Sequence, residues 1–155
     1  MIKTNAMRIL ETAHILFKFY EYNPGTAVDA GSVAMFLKKD PEEVFKTLVT
    51  ISPTHEHFVF VVPSNHELDL KKAARAAGVK NLEMIPLKTL LPTTGYIHGG
   101  CSPVGMKKKF KTFIDIHAQN LQTFCISGGK IGLTLELSPQ ELSNFLQAPF
   151  ADLTA

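Results

Sequence analysis

Two neighbouring β-prone runs restrict the fold of this chain more than any other feature. The run KTLVTIS begins at Lys46 and the run HFVFVVP begins at His57, and both are rich in β-branched and aromatic residues. The residues between them, 53–56, read PTHE and are typical of a turn. The pair therefore predicts a β-hairpin or a close antiparallel pair of strands.

The other runs mix helical and strand patterns without a regular βα order. Helical spacing or helix caps mark residues 3–13, 31–38, 40–43, 69–78, 86–90 and 138–146, and β-prone runs begin at residues 15, 82, 112, 122 and 131. A break is expected at Pro92–Gly95, and a turn at Gly128-Gly129. This order favours an α+β fold with a mixed or mostly antiparallel sheet, and the length of 155 residues favours one domain over residues 1–155.

Composition excludes several classes of protein. With 45% hydrophobic and 19% charged residues, the chain is too apolar to be disordered. Cys101 and Cys125 lack a CxxC spacing, so a disulfide framework and a cysteine-rich zinc site are not expected. The sequence has neither a signal peptide nor 18 consecutive apolar residues, which predicts a cytoplasmic protein. No P-loop or GxGxxG is present, and His55 and His57 lack a third ligand, so we expect no metal and no other cofactor.

Positive charge is concentrated in the middle of the chain. Residues 71–111 contain nine lysines and arginines and one acid, a net charge of +8, whereas the remaining residues carry −6. A positive face attracts polyanions, so nucleic acid is a candidate partner. A solvated, lysine-rich surface would explain the same charges.

Two other features are candidates for chemistry. Residues 95–109, GYIHGGCSPVGMKKK, contain four glycines and suit a functional loop better than regular structure. Cys101 follows His98 by three residues, which permits a base-activated thiol, but no orienting carboxylate is identifiable and a structural cysteine is the more common case. Lys46 stands at the entry of a hydrophobic strand. There it either holds an anion with a partly desolvated ammonium or extends from the strand end to water.

Short motifs occur in a fixed order along nearly the whole chain. They are Tyr20-Glu21, Lys46-Thr47-Leu48, Leu68-Asp69-Leu70-Lys71-Lys72, Thr94-Gly95-Tyr96, Gly99-Gly100-Cys101-Ser102-Pro103, Gly105 with Lys107-Lys108, Ile114-Asp115, Ser127-Gly128-Gly129-Lys130 and Gly132-Leu133. In this order and spacing they resemble the YbaK family of aminoacyl-tRNA deacylases, which are relatives of the editing domain inserted in bacterial prolyl-tRNA synthetases. Within the family, the likeness is greatest to the branch that acts on Cys-tRNA(Pro).

The resemblance implies both a fold and a reaction. The implied fold is one compact α+β domain with a bent, mixed, mostly antiparallel sheet or barrel and flanking helices. The implied reaction is trans-editing, in which mischarged cysteine is removed from tRNA(Pro) when the substrate thiol attacks its own ester, without a protein nucleophile. Lys46 matches the site lysine of the family, and the loop from Gly99 to Pro103 matches its GxxxP element. Both would position the ester and its developing oxyanion.

Further residues and partners are implied in the same way. The implied substrate-binding residues are Tyr20, Thr47, Gly99, Gly100, Ser102 and Pro103. The implied contacts to tRNA phosphates come from Lys71, Lys72, Lys107, Lys108 and Lys109. The implied partners are aminoacyl-tRNA and the prolyl-tRNA synthetase that produces the mischarged species.

The chain departs from the cysteine-specific branch at two places. Val28-Asp29 occupies a segment where an aromatic residue is common, and Thr134 stands where an acid commonly follows Gly132-Leu133. The amino-acid preference is therefore open between cysteine and another small residue such as alanine. Two readings from other classes are also open: a tRNA-binding module without catalysis, and a hydrolase of small esters that uses the Cys101 thiol.

Overall fold

The computed structural model describes residues 2–23, 25 and 29–155, and this part of the chain forms five α-helices and eight strands. The helices are α1 (Asn5–Thr12), α2 (Ala30–Leu37), α3 (Leu70–Ala77), α4 (Leu90–Thr94) and α5 (Pro139–Leu146). The strands are β1 (Phe17–Glu21), β2 (Phe45–Ile51), β3 (His57–Pro63), β4 (Glu83–Met84), β5 (Lys111–Asp115), β6 (Phe124–Ser127), β7 (Leu133–Leu137) and β8 (Phe150–Ala151). None of these helices is long and apolar enough to cross a membrane.

The strands form two sheets. The smaller sheet has the order β1-β7-β6 and the larger has the order β4-β2-β3-β5-β8. Four strand pairs are antiparallel, while β3/β5 and β5/β8 are parallel. This arrangement confirms the predicted α+β fold with a mixed, mostly antiparallel sheet. The barrel alternative is wrong for the described strands, because only an isolated bridge between Val44 and Cys125 links the two sheets and a barrel needs a continuous ladder.

The core covers β3 on both of its faces. Val61 packs with α1, α5 and the smaller sheet in the largest apolar cluster. Phe58, Phe60 and Val62 point to the opposite face, where they pack against Ala73 and Ala74 of α3. A strand buried on both faces has a continuous apolar sequence, which explains the run HFVFVVP. The core therefore lies on both sides of the larger sheet and extends under the smaller one.

Most local predictions are confirmed. The hairpin pairs Phe45 with Pro63 and Ile51 with His57, and the segment after Asp40 forms a 3-10 turn, Pro41–Glu43. The break predicted over Pro92–Gly95 falls at its last residue, because α4 continues through Pro92 to Thr94 and ends at Gly95, which has a φ of +88°. Pro92 lies in the first turn of α4, where backbone N–H groups have no helical partner and proline is tolerated.

Candidate active site

A cavity of about 180 Å³ lies where the start of β2 meets the smaller sheet. Its walls come from β2, α2, the adjoining ends of β6 and β7, and the chain from Leu90 to Cys101. The side chains in its lining that carry a polar or ionisable group are Tyr22, Asp29, Lys46, Thr47, His98, Cys101, Ser127 and Thr134. These residues are distant in sequence, so the fold itself assembles the site. We refer to this cavity as the catalytic cavity.

Lys46 places an ammonium group at the catalytic cavity. It lies on β2 opposite Val62 of β3, and its side chain is partly buried. Burial lowers the pKa of Lys46 from its ordinary value, while the negative charge of Glu67 acts in the opposite direction. In the described part of the chain, no carboxylate lies within 4 Å of this ammonium. The cation is therefore available to a negatively charged or polar ligand.

Thr47 contributes a second unpaired group. Its hydroxyl oxygen is buried and has no hydrogen-bond partner among the described residues. Thr47 also lines the catalytic cavity. Buried polar groups are normally hydrogen-bonded, so an unpaired hydroxyl in a cavity wall suits contact with a bound molecule. Lys46 and Thr47 therefore line the same cavity.

The loop from Gly99 to Pro103 forms another part of the wall through its first residues. Gly99 has a φ of +87°, in the left-handed region that favours glycine. The N–H of Gly100 donates to the carbonyl of Ile97 at 3.0 Å. The N–H groups of Gly99 and Cys101 make no hydrogen bond within the described residues, and both residues line the cavity. Both donors are therefore unpaired in residues that line the cavity.

The remaining residues of this loop support its shape. A Cβ atom on Gly100 would lie 3.1 Å from backbone atoms of Lys130 and Ile131, so the loop packs tightly on the turn between β6 and β7. Ser102 is fully buried, and its hydroxyl accepts a hydrogen bond from the N–H of Val104 at 3.1 Å. Pro103 is buried and faces a different cavity. Gly100, Ser102 and Pro103 therefore lie behind the catalytic cavity rather than in its lining.

Tyr22, and not Tyr20, lines the catalytic cavity. The hydroxyl of Tyr20 donates to Glu136 at 2.6 Å, and Glu136 also pairs with Lys39 at 3.2 Å. Tyr22 reaches Thr134 in the same way, with 3.2 Å between the hydroxyl oxygens. Burial raises the pKa of Tyr22, so it remains a neutral phenol at neutral pH. Sequence reasoning missed Tyr22 although it shares its strand face with Tyr20.

Both departures from the family pattern concern this wall. Thr134, the second of these positions, lines the catalytic cavity and presents a neutral hydroxyl. Val28 lies outside the described residues. Asp29 also lines the cavity and caps α2 by accepting the N–H of Ser32 at 2.9 Å, a hydrogen bond that lowers the pKa of Asp29. The wall thus combines one cation, one carboxylate and several hydroxyls.

Cys101 is poorly suited to act as a nucleophile. Its side chain is buried with Val49, Val59 and Leu90, and burial raises the pKa of the Cys101 thiol to about 11. His98 is exposed, and it is not among the groups that shift the pKa of Cys101. The reactive form of cysteine is the thiolate, so a thiol with this pKa is unreactive at neutral pH.

Metal ligation finds no support in the geometry. Across residues 2–23, 25 and 29–155, no three His, Cys, Asp or Glu side chains are arranged to hold a metal ion. His57 contacts the ring of Phe110, with 5.3 Å between the centroids.

The five lysines assigned to tRNA phosphates lie outside the lining of the catalytic cavity. Lys71 and Lys72 are on α3, and the Nζ of Lys72 donates to Asp152 at 3.1 Å and to the carbonyl of Thr154 at 2.8 Å. Lys107 and Lys108 lie shortly after the loop from Gly99 to Pro103, called the glycine-rich loop below, and are exposed. Any contact they make with tRNA is therefore made outside the catalytic cavity.

Comparison with known proteins places the chain in a family. The family model described as "Aminoacyl-tRNA editing domain" matches residues 25–145. The chain is 44% identical over 153 residues to the Enterococcus faecalis protein named "Putative Cys-tRNA(Pro)/Cys-tRNA(Cys) deacylase EbsC", a match that covers 98% of this chain and 93% of that protein. It is 28% identical over 123 residues to a proline–tRNA ligase of Syntrophotalea carbinolica, covering 79% of this chain and 21% of the ligase.

Solved structures agree with this placement. A crystal structure described as "a putative trans-editing enzyme for prolyl tRNA synthetase" superposes with a TM-score of 0.84 at 25% identity, covering 100% of this chain and 99% of the other. The family match, the relative at 44% identity and the shared fold confirm the resemblance to the YbaK family. The chain belongs to the family of aminoacyl-tRNA editing domains and is an aminoacyl-tRNA deacylase.

Proposed function

We propose that this protein removes cysteine from mischarged tRNA(Pro) in trans, using the thiol of the substrate as the nucleophile. The observation that carries the proposal is the unpaired ammonium of Lys46, which shares the catalytic cavity with the free N–H groups of Gly99 and Cys101. A protein cavity of about 150 Å³ accepts one benzene molecule. The catalytic cavity, at about 180 Å³, is therefore suited to one small amino acid.

The proposed reaction needs no nucleophile from the protein. The sulfur of the cysteinyl group attacks its own ester carbonyl, a C–S bond forms, and the C–O bond to the ribose breaks. The thiol proton ends on the ribose oxygen, and the products are free tRNA and a cyclic thiolactone. Lys46 and the loop N–H groups stabilise the negative charge on the carbonyl oxygen, where each such donor contributes on the order of 3 kcal/mol. The high pKa of the Cys101 thiol supports the absence of a protein nucleophile.

Several further parts belong to this proposal. The whole of residues 1–155 acts as one editing domain in the cytoplasm, where tRNA is charged. Lys71, Lys72, Lys107 and Lys108 meet tRNA phosphates, and prolyl-tRNA synthetase supplies the mischarged substrate. The name of the trans-editing relative and the similarity to part of a proline–tRNA ligase support this partner. Discrimination among tRNAs would come from the synthetase.

The test measures release of cysteine, alanine and proline from separately charged tRNA(Pro) by the purified protein. We expect selective cysteine release, with formation of the thiolactone detected by mass spectrometry. Lys46→Ala should lower the rate about 10²- to 10³-fold, the loss that follows removal of one oxyanion donor. Cys101→Ala should retain the activity, since its thiol takes no part in the chemistry.

Other outcomes lead to different conclusions. Preferred release of alanine would keep the deacylase activity and contradict the thiol mechanism. Loss of activity in Cys101→Ala with an unchanged far-UV spectrum would favour the protein thiol as nucleophile. Absence of release from all three tRNAs, with tRNA binding intact, would favour a binding module.

A further inference from the structure

A second cavity, of about 290 Å³, lies between α1, α5 and the chain that follows the glycine-rich loop. The residues of its lining that matter here are Ile9, Met106, Lys108, Lys109, Phe110 and Phe145. We call this cavity the basic groove. Pro103 also lines it, whereas Cys101 lines the catalytic cavity. Since two residues span at most about 7 Å, the glycine-rich loop forms a wall shared by both cavities.

The basic groove carries uncompensated positive charge. Lys108 and Lys109 line it, and Lys107 and Lys111 flank them in the chain. Within the described ranges, none of the four lies within 4 Å of a carboxylate. The Nζ of Lys109 is 3.5 Å from the side-chain oxygen of Gln147, a neutral group. Four neighbouring cations without a counter-charge favour an anionic ligand.

The same groove contains aromatic and aliphatic surface. Phe145 on α5 keeps 39% of its surface exposed although it is a large apolar residue. Phe110 is partly buried against the ring of His57, and Ile9 and Met106 complete the apolar side. An aromatic ring beside lysine ammonium groups is the combination that binds single-stranded nucleic acid, in which the base stacks and the phosphate meets the cation.

We propose that the basic groove is a second binding site that accepts a phosphate-bearing nucleotide, with its base on Phe145 and its phosphate at Lys108 and Lys109. The nucleotide comes either from the tRNA chain or from the free nucleotide pool, and both present the same chemistry. In the first case the groove anchors tRNA while the ester occupies the catalytic cavity, and this part rests on the proposed function.

The experiment compares the affinities of uncharged tRNA(Pro) and of AMP for three sets of variants. Lys108→Ala/Lys109→Ala should weaken tRNA binding about tenfold and reduce the slope of log affinity against log salt by about 1.4, since each single-strand phosphate contributes about 0.7. Phe145→Leu, which keeps an apolar contact with the core, should weaken binding about fivefold. The control Lys18→Ala/Lys80→Ala removes two exposed lysines elsewhere and should change affinity less than twofold.

The outcomes separate the source of the nucleotide from the existence of the site. AMP binding that is lost in Lys108→Ala/Lys109→Ala assigns the site to a free nucleotide, and loss of tRNA binding alone assigns it to the tRNA chain. Equal losses in both lysine pairs, with Phe145→Leu unchanged, would overturn the proposal. A thermal unfolding curve for each variant shows that it is folded.

A minimal substrate separates this proposal from the proposed function. Cysteinyl-adenosine is small enough to use the catalytic cavity alone, so Lys108→Ala/Lys109→Ala should lower its turnover by a smaller factor than it lowers tRNA affinity. If the wild-type protein binds tRNA through the groove but hydrolyses no cysteinyl ester, the proposed deacylase function is contradicted, whereas the proposed binding site in the groove is supported. If the double variant loses turnover of cysteinyl-adenosine as strongly as tRNA binding, the groove is not a separate site.

Discussion

At the scale of single residues, Lys46 shows a conflict between stability and activity. Burying part of an ammonium group without an ion pair costs free energy, and the lowered pKa of Lys46 is the sign of that cost. A methionine of similar length would fill the same space without charge. Proteins commonly retain such unfavourable groups where activity requires them.

We therefore predict that Lys46→Met stabilises the protein and inactivates it. The free energy of unfolding at pH 7 should rise by about 0.5–1 kcal/mol, within the range of single stabilising substitutions. Because the folded pKa is below the unfolded one, wild-type stability gains from Lys46 as the pH rises between the two values. The difference in the free energy of unfolding between Lys46→Met and wild type, measured by urea denaturation, should therefore become smaller toward pH 10. Lys18→Met, on an exposed part of β1, should show no such gap, and a gap that widens with pH would contradict this explanation.

Cys101 gives a second prediction at this scale. With a pKa of about 11, its thiolate fraction at pH 7.5 is far smaller than that of a free cysteine with a pKa of about 8.5. Alkylation of Cys101 by iodoacetamide in the native protein should be at least about 100-fold slower than that of free cysteine. Peptide mass spectrometry measures the rate, with urea-unfolded protein as the control. Labelling at the rate of free cysteine would show that the thiol is neither buried nor weakly acidic.

Tyr20 and Tyr22 show a limit of predicting the site from sequence. Alternation places both side chains on one face of the strand, but it does not show where the cavity meets that face. Each tyrosine leans toward a residue of β7, Tyr20 toward Glu136 and Tyr22 toward Thr134. β7 is more than a hundred residues away in the chain. Lys46 was predictable because its unusual place in an apolar strand is a local signal.

At the scale of elements, the glycine-rich loop depends on backbone conformation. Gly99 has a φ of +87°, and Gly78, which ends α3, has a φ of +74° with open space around its Cβ position. A side chain at either position strains the backbone by about 1 kcal/mol. A substitution at Gly78 therefore serves as a control, because it strains the backbone as a substitution at Gly99 does but lies outside the catalytic cavity.

We predict that Gly99→Ala and Gly78→Ala lose similar stability but differ in activity. Gly99→Ala shifts the backbone of a loop that lines the catalytic cavity, so kcat should fall at least about tenfold while Gly78→Ala keeps wild-type kcat. Thermal unfolding and steady-state deacylation of the same preparations measure both effects. Equal kcat values for the two variants would show that the loop N–H groups do not contribute to the reaction.

Local and distant strand pairs differ in how well sequence predicts them. The hairpin of β2 and β3 is encoded within nineteen residues by two apolar runs and a turn, so the local sequence pattern is sufficient to predict it. The strand β8 is only two residues long and pairs with β5. The bridge from Val44 to Cys125 joins segments eighty residues apart. Short and distant pairs such as these depend on the packing of the whole chain and leave no periodic signal.

At the scale of the whole molecule, the last residues connect several parts of the structure. Leu153 is fully buried with Phe58, Phe60 and Val62. Its N–H donates to the buried carboxylate of Asp115 at 3.0 Å, and Leu68 forms a bridge with Thr154. These contacts tie the chain end to the larger sheet and support our proposal that the chain acts as one domain.

We predict one cooperative unfolding transition that Leu153→Ala shifts as a whole. Removing this side chain should cost about 3 kcal/mol, as for other fully buried leucines. The chain has three tyrosines and no tryptophan, so tyrosine fluorescence and far-UV circular dichroism are the two probes. Their urea transitions should coincide in wild type and variant. Asp152→Ala, at an exposed neighbouring side chain, serves as the control, and two separate transitions would contradict a single domain.

The buried thiol of Cys101 also bears on how the enzyme would survive its own product. A thiolactone is an acylating agent, and in the proposed reaction it is released beside a protein cysteine. A thiolate at that place could be acylated by the product, which would modify the wall of the cavity. The protonated thiol of Cys101 resists this acylation. For the same reason, electrophilic inhibitors that target a cysteine should react slowly with Cys101 in this cavity.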